Sequence, residues 1–343
     1  SFRQENFLLR FIQGRMLYWM AGYPADEEVP RYRALHRSVW RQELNLTPDE
    51  RAALRDFLQW NAREENRYYR YDYYRDNCST RVRDALDRVL HGAIAAQTQG
   101  PASGTYRFHT QRLTTNDALL YTGLLLAVGQ LADRPITRWD EMFLPLKVRD
   151  YLRDVTVTDS TGARVPLVRS EDTLYLSHAY PVPDRPPRWW PYYLLIGLAL
   201  GGGFCWGGTA GRRGPLARLT LLFGGTSWAL LTGVVGLILV GLWGFTDHVI
   251  ASRNENVLQC TLFALVLASM LPAVLRDRGW ALRPARVLAI TVAAASVLGV
   301  LLKLLPYVHQ ANVEILALAV PANLGLTAGI LAWMRGSRGR PAA

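Results

Sequence analysis

Tyr71-Asp72-Tyr73-Tyr74-Arg75-Asp76-Asn77-Cys78-Ser79-Thr80-Arg81 runs from a tyrosine-rich segment straight into a helix start. Tyr68 to Tyr74 alternate with Arg and Asp, which suits a half-buried strand. Asp76 or Asn77 then caps a helix from about Cys78 to Leu90, with Val82, Ala85, Leu86 and Val89 as its inner face and His91-Gly92 as its stop. Cys78 falls in the first turn, where free N–H groups and the helix dipole favour thiolate over thiol. Thr80, Arg81 and Arg83 make the surroundings polar and positive. Cys205 and Cys260 lie in apolar stretches, so Cys78 has no disulfide partner in its own half of the chain. A free cysteine is more often a small buried hydrophobe; this charged helix start favours a nucleophile instead.

The flanking sequence builds a mixed domain. Thr47-Pro48-Asp49-Glu50 is a capping box with Pro in the first turn, opening a helix to about Asn61 along Ala53, Leu54, Phe57 and Leu58. Residues 93–104 read as an exposed loop, and Asn116–Leu131 as a helix followed by the turn Asp133-Arg134-Pro135. Trp139–Tyr151 holds an amphipathic segment. Short strands near Asp154–Thr158 and Arg164–Val168 flank a Ser160-Thr161-Gly162 turn. A proline-rich linker, Tyr180–Arg188, leads into the apolar half. The expected division is a soluble α+β domain over 1–185 and a helical membrane domain over 186–343.

Five apolar segments in that second half approach or exceed the roughly 20 residues a bilayer span needs. They lie near Trp190–Trp206, Leu219–Trp243, Val257–Leu275, Val287–Val308 and Ile315–Met334. The first is short and Gly-rich at Gly201-Gly202-Gly203, and Trp189, Trp190, Tyr192 and Tyr193 form an interfacial belt at its start. Arg212, Arg213 and Arg218 follow it; Arg276, Arg278, Arg283 and Arg286 follow the third; Arg335, Arg338 and Arg340 follow the fifth. The other two loops carry mainly Arg253 and Lys303. The positive-inside rule then puts the Arg-rich loops and the C-terminus in the cytoplasm and residues 1–185 on the opposite side. Much of the net charge of +11 is thereby a membrane signal, and no nucleic-acid partner is expected. The two polar loops, Thr246–Asn256 and Pro306–Glu314, share the soluble domain's face. They are either ordinary wet loops or the floor of a site, with His248, Asn254, Asn256, Gln310 and Asn312 facing it. Lys303 is read as snorkelling to headgroups.

A cysteine nucleophile needs a base, usually an oriented histidine. His91 ends the cysteine's own helix, about 20 Å away at 1.5 Å per residue. His36 and His178 have no supporting context. His109 lies in the strand-like run Tyr106-Arg107-Phe108-His109-Thr110 after the cysteine, and no candidate stands out alone. The soluble half has no CxxC, no HExxH and no paired histidines, so no metal is expected. No Gly-rich phosphate loop is present in the polar half either, and no cofactor is expected.

Asn6-Phe7…Phe11…Gly14-Arg15…Tyr18, Arg37-Ser38-Val39…Gln42…Leu44-Asn45-Leu46-Thr47 and Tyr69-Arg70-Tyr71…Asp76-Asn77-Cys78-Ser79-Thr80-Arg81…Arg83-Asp84 resemble the Lnb N-terminal periplasmic domain family. So do Asp133-Arg134-Pro135…Trp139…Phe143-Leu144-Pro145, Pro166-Leu167-Val168 and the two polar loops. The resemblance implies a papain-like (NlpC-type) cysteine domain, periplasmic, on a multi-span domain of the bacterial inner membrane, acting in lipoprotein N-acylation. It also implies a catalytic His in a Gly-His motif ahead of the cysteine. No such motif stands upstream of Cys78, so the expectation is that it precedes Ser1, with His109 as the fallback base.

The reading that follows is a membrane-bound thiol acyltransferase. Cys78 is its nucleophile, Asp76, Asn77, Thr80, Arg81 and Tyr71 support it, a phospholipid is the donor and a lipoprotein N-terminus the acceptor. Two alternatives stand beside it. One is a papain-like envelope hydrolase acting on a lipid ester or a peptidoglycan amide. The other is a non-catalytic envelope scaffold.

Overall fold

The computed structural model describes residues 7–179, 181–211 and 214–337. Asn6, Tyr180, Arg212, Arg213, Arg338 and Arg340, which carry part of the resemblance, linker and charge readings, lie outside those residues. In chain order the polar part contains α1 (Phe7–Gln13), β1 (Leu17–Trp19), α2 (Ala25–Ala34), β2 (Val39–Leu44), α3 (Pro48–Ala62), β3 (Tyr68–Arg70), α4 (Cys78–Val89), α5 (Ala93–Gln97), α6 (Tyr106–Leu113), α7 (Ala118–Ala127), α8 (Arg138–Glu141), α9 (Pro145–Leu152), β4 (Thr156–Thr158), β5 (Arg164–Pro166) and β6 (Val168–Tyr175). Five helices long and apolar enough to cross a membrane follow: Trp190–Ala210, Pro215–Phe245, Glu255–Val274, Gly279–Leu304 and Val313–Gly336.

The chain divides into two compact units, residues 1–113 with 134–185, and residues 114–133 with 186–343. The expected boundary at 185/186 therefore needs one correction: residues 114–133 group with the long helices. The reason lies in the hydrogen bonds of α7, described below.

In the first unit the described strands form three antiparallel pairs, β1–β3, β2–β6 and β4–β5. The β4–β5 hairpin turns at Asp159, whose carboxylate accepts the N–H groups of Thr161 and Ala163. α3 begins as its sequence dictates, with Thr47 and Glu50 capping each other's backbone. The core lies under α4: Leu86, Val89 and Leu90 pack with Ile94, Met142, Val148, Leu152, Val155, Val157 and Leu167. Val82 does not belong to that face and is 54% exposed, whereas Arg83 is 5% exposed. The helix is rotated because the Arg83 guanidinium stacks on Trp139 at 3.8 Å and donates to its carbonyl at 2.7 Å, so a charged residue is buried with its donors engaged. On α3, Leu54 and Phe57 are half-buried while Ala53 and Leu58 are exposed. Residues 93–104 contain helix α5, and the strand-like run around His109 is helix α6, with Tyr106, Arg107 and His109 buried.

In the second unit the Gly-rich character of the first span is a packing requirement. A Cβ on Gly201 would stand 2.2 Å from the Pro321 carbonyl oxygen, and one on Gly208 would stand 2.0–2.4 Å from the Gly329 backbone. Spans one and five thus meet backbone to backbone, the close approach that small residues permit where no hydrophobic effect drives helices together. A buried polar cluster ties span five to spans two, three and four. Trp228 Nε1 donates to Asn323 Oδ1 at 2.8 Å, and Asn323 Nδ2 donates to Ser296 Oγ at 2.7 Å and to the Gln259 carbonyl at 3.0 Å.

Candidate functional site

Asn77 decides the local geometry of Cys78. It is the N-cap of α4: its Oδ1 accepts the N–H groups of Ser79 at 2.8 Å and Thr80 at 3.0 Å, while Thr80 Oγ1 accepts the Asn77 N–H at 2.8 Å. Its Nδ2 donates to the carbonyls of Tyr73 and Phe143, each at 2.9 Å, so this 5% exposed amide also ties the helix start to a distant loop. Upstream, Asp72 Oδ1 accepts the N–H groups of Tyr74 and Arg75 and turns the chain into the cap. These caps leave the N–H of Cys78 as the uncommitted donor of the first turn. The Cys78 thiol is exposed, and among the described residues it makes no hydrogen bond.

Tyrosines surround it. Tyr18 and Tyr71 stack at 4.1 Å between ring centroids, Tyr69 lies 6.5 Å from Tyr71, and Tyr73 meets Tyr71 edge-on at 5.8 Å. Cys78 interacts electrostatically with Tyr18, Tyr69 and Tyr71. Burial, then Cys78 and Asp76, push Tyr69 up to about 12 against the opposing pull of Arg81. Burial, then Tyr73 and Cys78, raise Tyr71 and Tyr18 as well. All three hydroxyls therefore stay protonated donors near neutral pH. Arg81 grips Asp76 with two hydrogen bonds, 2.5 and 2.6 Å, and lies 4.3 Å over the Tyr69 ring. Asp76, Asn77, Thr80 and Arg81 flank Cys78 along the chain, and Tyr71, with Tyr18 and Tyr69, interacts with it electrostatically. Tyr69 is signalled by the tyrosine run itself; Tyr18 has no local signal and is set opposite Tyr69 by the β1–β3 register.

His109 sits elsewhere in the chemistry. It is 1% exposed, its Nε2 is 2.6 Å from Glu141 Oε1, and its Nδ1 accepts from Arg112 Nε at 3.0 Å. With Nδ1 accepting, the proton stands on Nε2 and faces Glu141. Neither nitrogen is left to take a proton from a thiol, so the geometry speaks against His109 as the base. Among the described residues no histidine makes a hydrogen bond or electrostatic contact with Cys78. Glu141 is fully buried and also accepts from Ser103 and Tyr151, with Lys147 3.6 Å away. Burial alone would raise its carboxyl, but the hydrogen bonds from His109, Ser103 and Tyr151 outweigh it and hold the group at about 2.

The span-joining loops are also spoken for. Asn254 Nδ2 donates to the carbonyls of Leu126 (2.6 Å) and Ala127 (3.1 Å), Asn256 Nδ2 to Leu125 (2.9 Å) and Leu126 (3.2 Å), and Gln310 Nε2 to Val128 (3.2 Å). Asn312 Nδ2 donates to Asn256 Oδ1 at 2.7 Å. All four side chains are at most 2% exposed. They are neither wet loops nor an open floor: Asn254, Asn256 and Gln310 serve the C-terminal carbonyls of α7, and Asn312 holds Asn256 in place. His248 is half-buried and precedes the turn Val249–Ala251. Lys303 does not snorkel free: it pairs with Glu255 and donates to the Gln310 carbonyl at 2.5 Å. The described residues include no group of three or more His, Cys, Asp or Glu able to hold a metal.

The family model of the Lnb N-terminal periplasmic domain matches residues 1–113, the part of the chain that carries Cys78 and its tyrosines. No curated protein and no solved structure matches the chain. The match over residues 1–113 and five helices long and apolar enough to cross a membrane fit a membrane protein of the cell envelope.

Proposed function

We propose that the chain is an envelope thiol acyltransferase that N-acylates lipoproteins, with Cys78 as nucleophile on a papain-like arrangement. The observation that carries this is the exposed Cys78 thiol in the first turn of a doubly capped helix, beside an uncommitted N–H and three protonated tyrosines. The thiolate attacks the carbonyl carbon of a phospholipid ester. A C–S bond forms, the C–O bond breaks, and the glycerol oxygen leaves as the alcohol of a lysophospholipid after taking up a proton. The α-amine of a lipoprotein's N-terminal cysteine then attacks the thioester. An amide forms, the C–S bond breaks to restore the Cys78 sulfur, and the amine's surplus proton goes to solvent, balancing the one the glycerol oxygen took up. The Cys78 N–H is the donor available to the oxyanion in both steps. A chain with five apolar spans favours substrates that are themselves membrane-resident.

The orientation that fits is the bacterial inner membrane, with the first unit periplasmic and the C-terminus cytoplasmic. The supporting arginines among the described residues are Arg218, Arg276, Arg278, Arg283, Arg286 and Arg335. The test expresses the protein from its own gene in cells depleted of their apolipoprotein N-acyltransferase. The mass of a lipoprotein N-terminal peptide gains one acyl chain with wild type and none with Cys78→Ala. No gain with well-expressed wild type overturns the transferase reading. Release of free fatty acid that requires Cys78 then points to the hydrolase.

A further inference from the structure

The segment 114–133 leaves the first unit and returns to it, yet it is built into the second. Its helix α7, Ala-Leu-Leu-Tyr-Thr-Gly-Leu-Leu-Leu-Ala, is apolar and about 15 Å long at 1.5 Å per residue, too short to cross the roughly 30 Å core. One face is packed: Tyr121 and Leu125 are buried with Ile315, Tyr121 lies 4.8 Å from Trp189, and Thr122 Oγ1 meets the Tyr193 hydroxyl at 2.5 Å. The opposite face is bare and apolar, with Leu119 85% and Leu120 49% exposed and Gly123 one turn on.

The last carbonyls of an exposed helix can take their hydrogen bonds from water as well as from capping groups. Here three buried amides, from Asn254, Asn256 and Gln310, serve the carbonyls of residues 125–128. That is the arrangement required where water is scarce. Beyond α7, Gly129 N–H donates to the Ile250 carbonyl at 2.8 Å, and a Cβ on Gly129 would stand 2.0 Å from the Ser252 carbonyl oxygen, so only glycine fits. The neighbouring span ends and loops carry exposed apolar side chains of their own: Phe245 at 83%, Leu304 at 82% and Tyr307 at 85%. The aromatic run Trp189–Tyr193 in contact with α7 has the composition of the belts found at the edge of a bilayer.

We propose that α7 is an interfacial helix whose Leu119–Leu120 face is covered by the acyl chains of the adjoining lipid leaflet. The inference does not depend on the acyltransferase reading.

The test places a nitroxide on cysteines introduced one at a time at Leu119 and Leu120. The background is the full chain carrying Cys78→Ser, Cys205→Ala and Cys260→Ala, in vesicles of phosphatidylethanolamine and phosphatidylglycerol. Leu237→Cys, on an exposed position of the second span, is the lipid reference; Ser160→Cys, in the β4–β5 turn, is the water reference. Collision with oxygen and with a water-soluble nickel complex is read at each site. The expected result is that positions 119 and 120 follow 237, with high oxygen and low nickel access. Access like that at 160 overturns the proposal. Protection from both reagents marks a protein partner on this face and overturns it as well.

Discussion

Replacing Asn77 by alanine should be the most costly single change near the thiol, and the structure gives its size. The cap on Ser79 and Thr80 accounts for about 1 kcal/mol. Removing Nδ2 leaves the Phe143 carbonyl, bonded by a buried donor, without that partner, at about 1–3 kcal/mol, and weakens the half-buried contact to Tyr73. The sum is about 3 kcal/mol, a large share of the roughly 5–15 kcal/mol that stabilises a domain. At a urea dependence of about 2 kcal/mol per molar, the midpoint of the first unit falls by about 1.5 M. The assay is pulse proteolysis of the full chain in micelles across a urea series, scored by survival of the first unit. Asn77→Ser keeps the cap acceptor and loses both donors, so its midpoint should lie between wild type and Asn77→Ala. A fall below about 0.5 M for alanine, or equal falls for serine and alanine, would refute the reasoning.

Other consequences are as direct. Glu141 is depressed from 4.5 to about 2, so its contribution is complete above about pH 4.5 and is lost as pH falls through about 2. Acid unfolding of the first unit should steepen in that window, and Glu141→Gln should flatten the curve there. Gly208→Ala should separate spans one and five, since its Cβ meets Gly329 backbone, and a drop of several degrees in the melting temperature of the second unit would register it. A membrane-impermeant maleimide should modify exposed Cys78 within minutes and leave buried Cys260 unmodified; equal labelling would contradict the burial.

What was legible in the sequence was local. The caps of α3 and α4, the β4–β5 hairpin and the five spans each follow from neighbouring residues, although the fourth span begins at Gly279, ahead of the expected Val287, and takes in Arg283 and Arg286. What was not legible depends on distant partners. The β2–β6 pair joins residues such as Gln42 and Glu171 across the whole first unit, and nothing near either strand announces the other. The Tyr106–Thr110 alternation suits a strand, but α6 forms because Tyr106, Arg107 and His109 find buried partners on its inner side. The rotation of α4 that buries Arg83 and exposes Val82 turns on Trp139, fifty-six positions away. Residues 114–133 were read as one more helix of the polar half because no local signal reports a dock on Asn254 and Asn256.

That dock changes where substrate recognition is to be sought. With the amides of Asn254, Asn256 and Gln310 committed to the carbonyls of α7, the proposed acyl transfer at Cys78 would draw its recognition from the first unit's own groups. Arg81 is largely spent as well, neutralised by Asp76 and stacked on Tyr69, so it positions the ring rather than offering free charge. Tyr71 is then the strongest candidate for a donor to substrate. Its ring is held by the 4.1 Å stack on Tyr18, and its hydroxyl feels the Cys78 charge. Tyr71→Phe keeps the stack and removes only the hydroxyl. If that hydroxyl assists the developing oxyanion, acyl transfer should fall roughly 100-fold while maleimide labelling of Cys78 keeps its wild-type rate. Transfer within about threefold of wild type would mean that the tyrosines serve packing alone, because a lost oxyanion donor costs far more than that. The Cys78 N–H would then be left as the donor at this site.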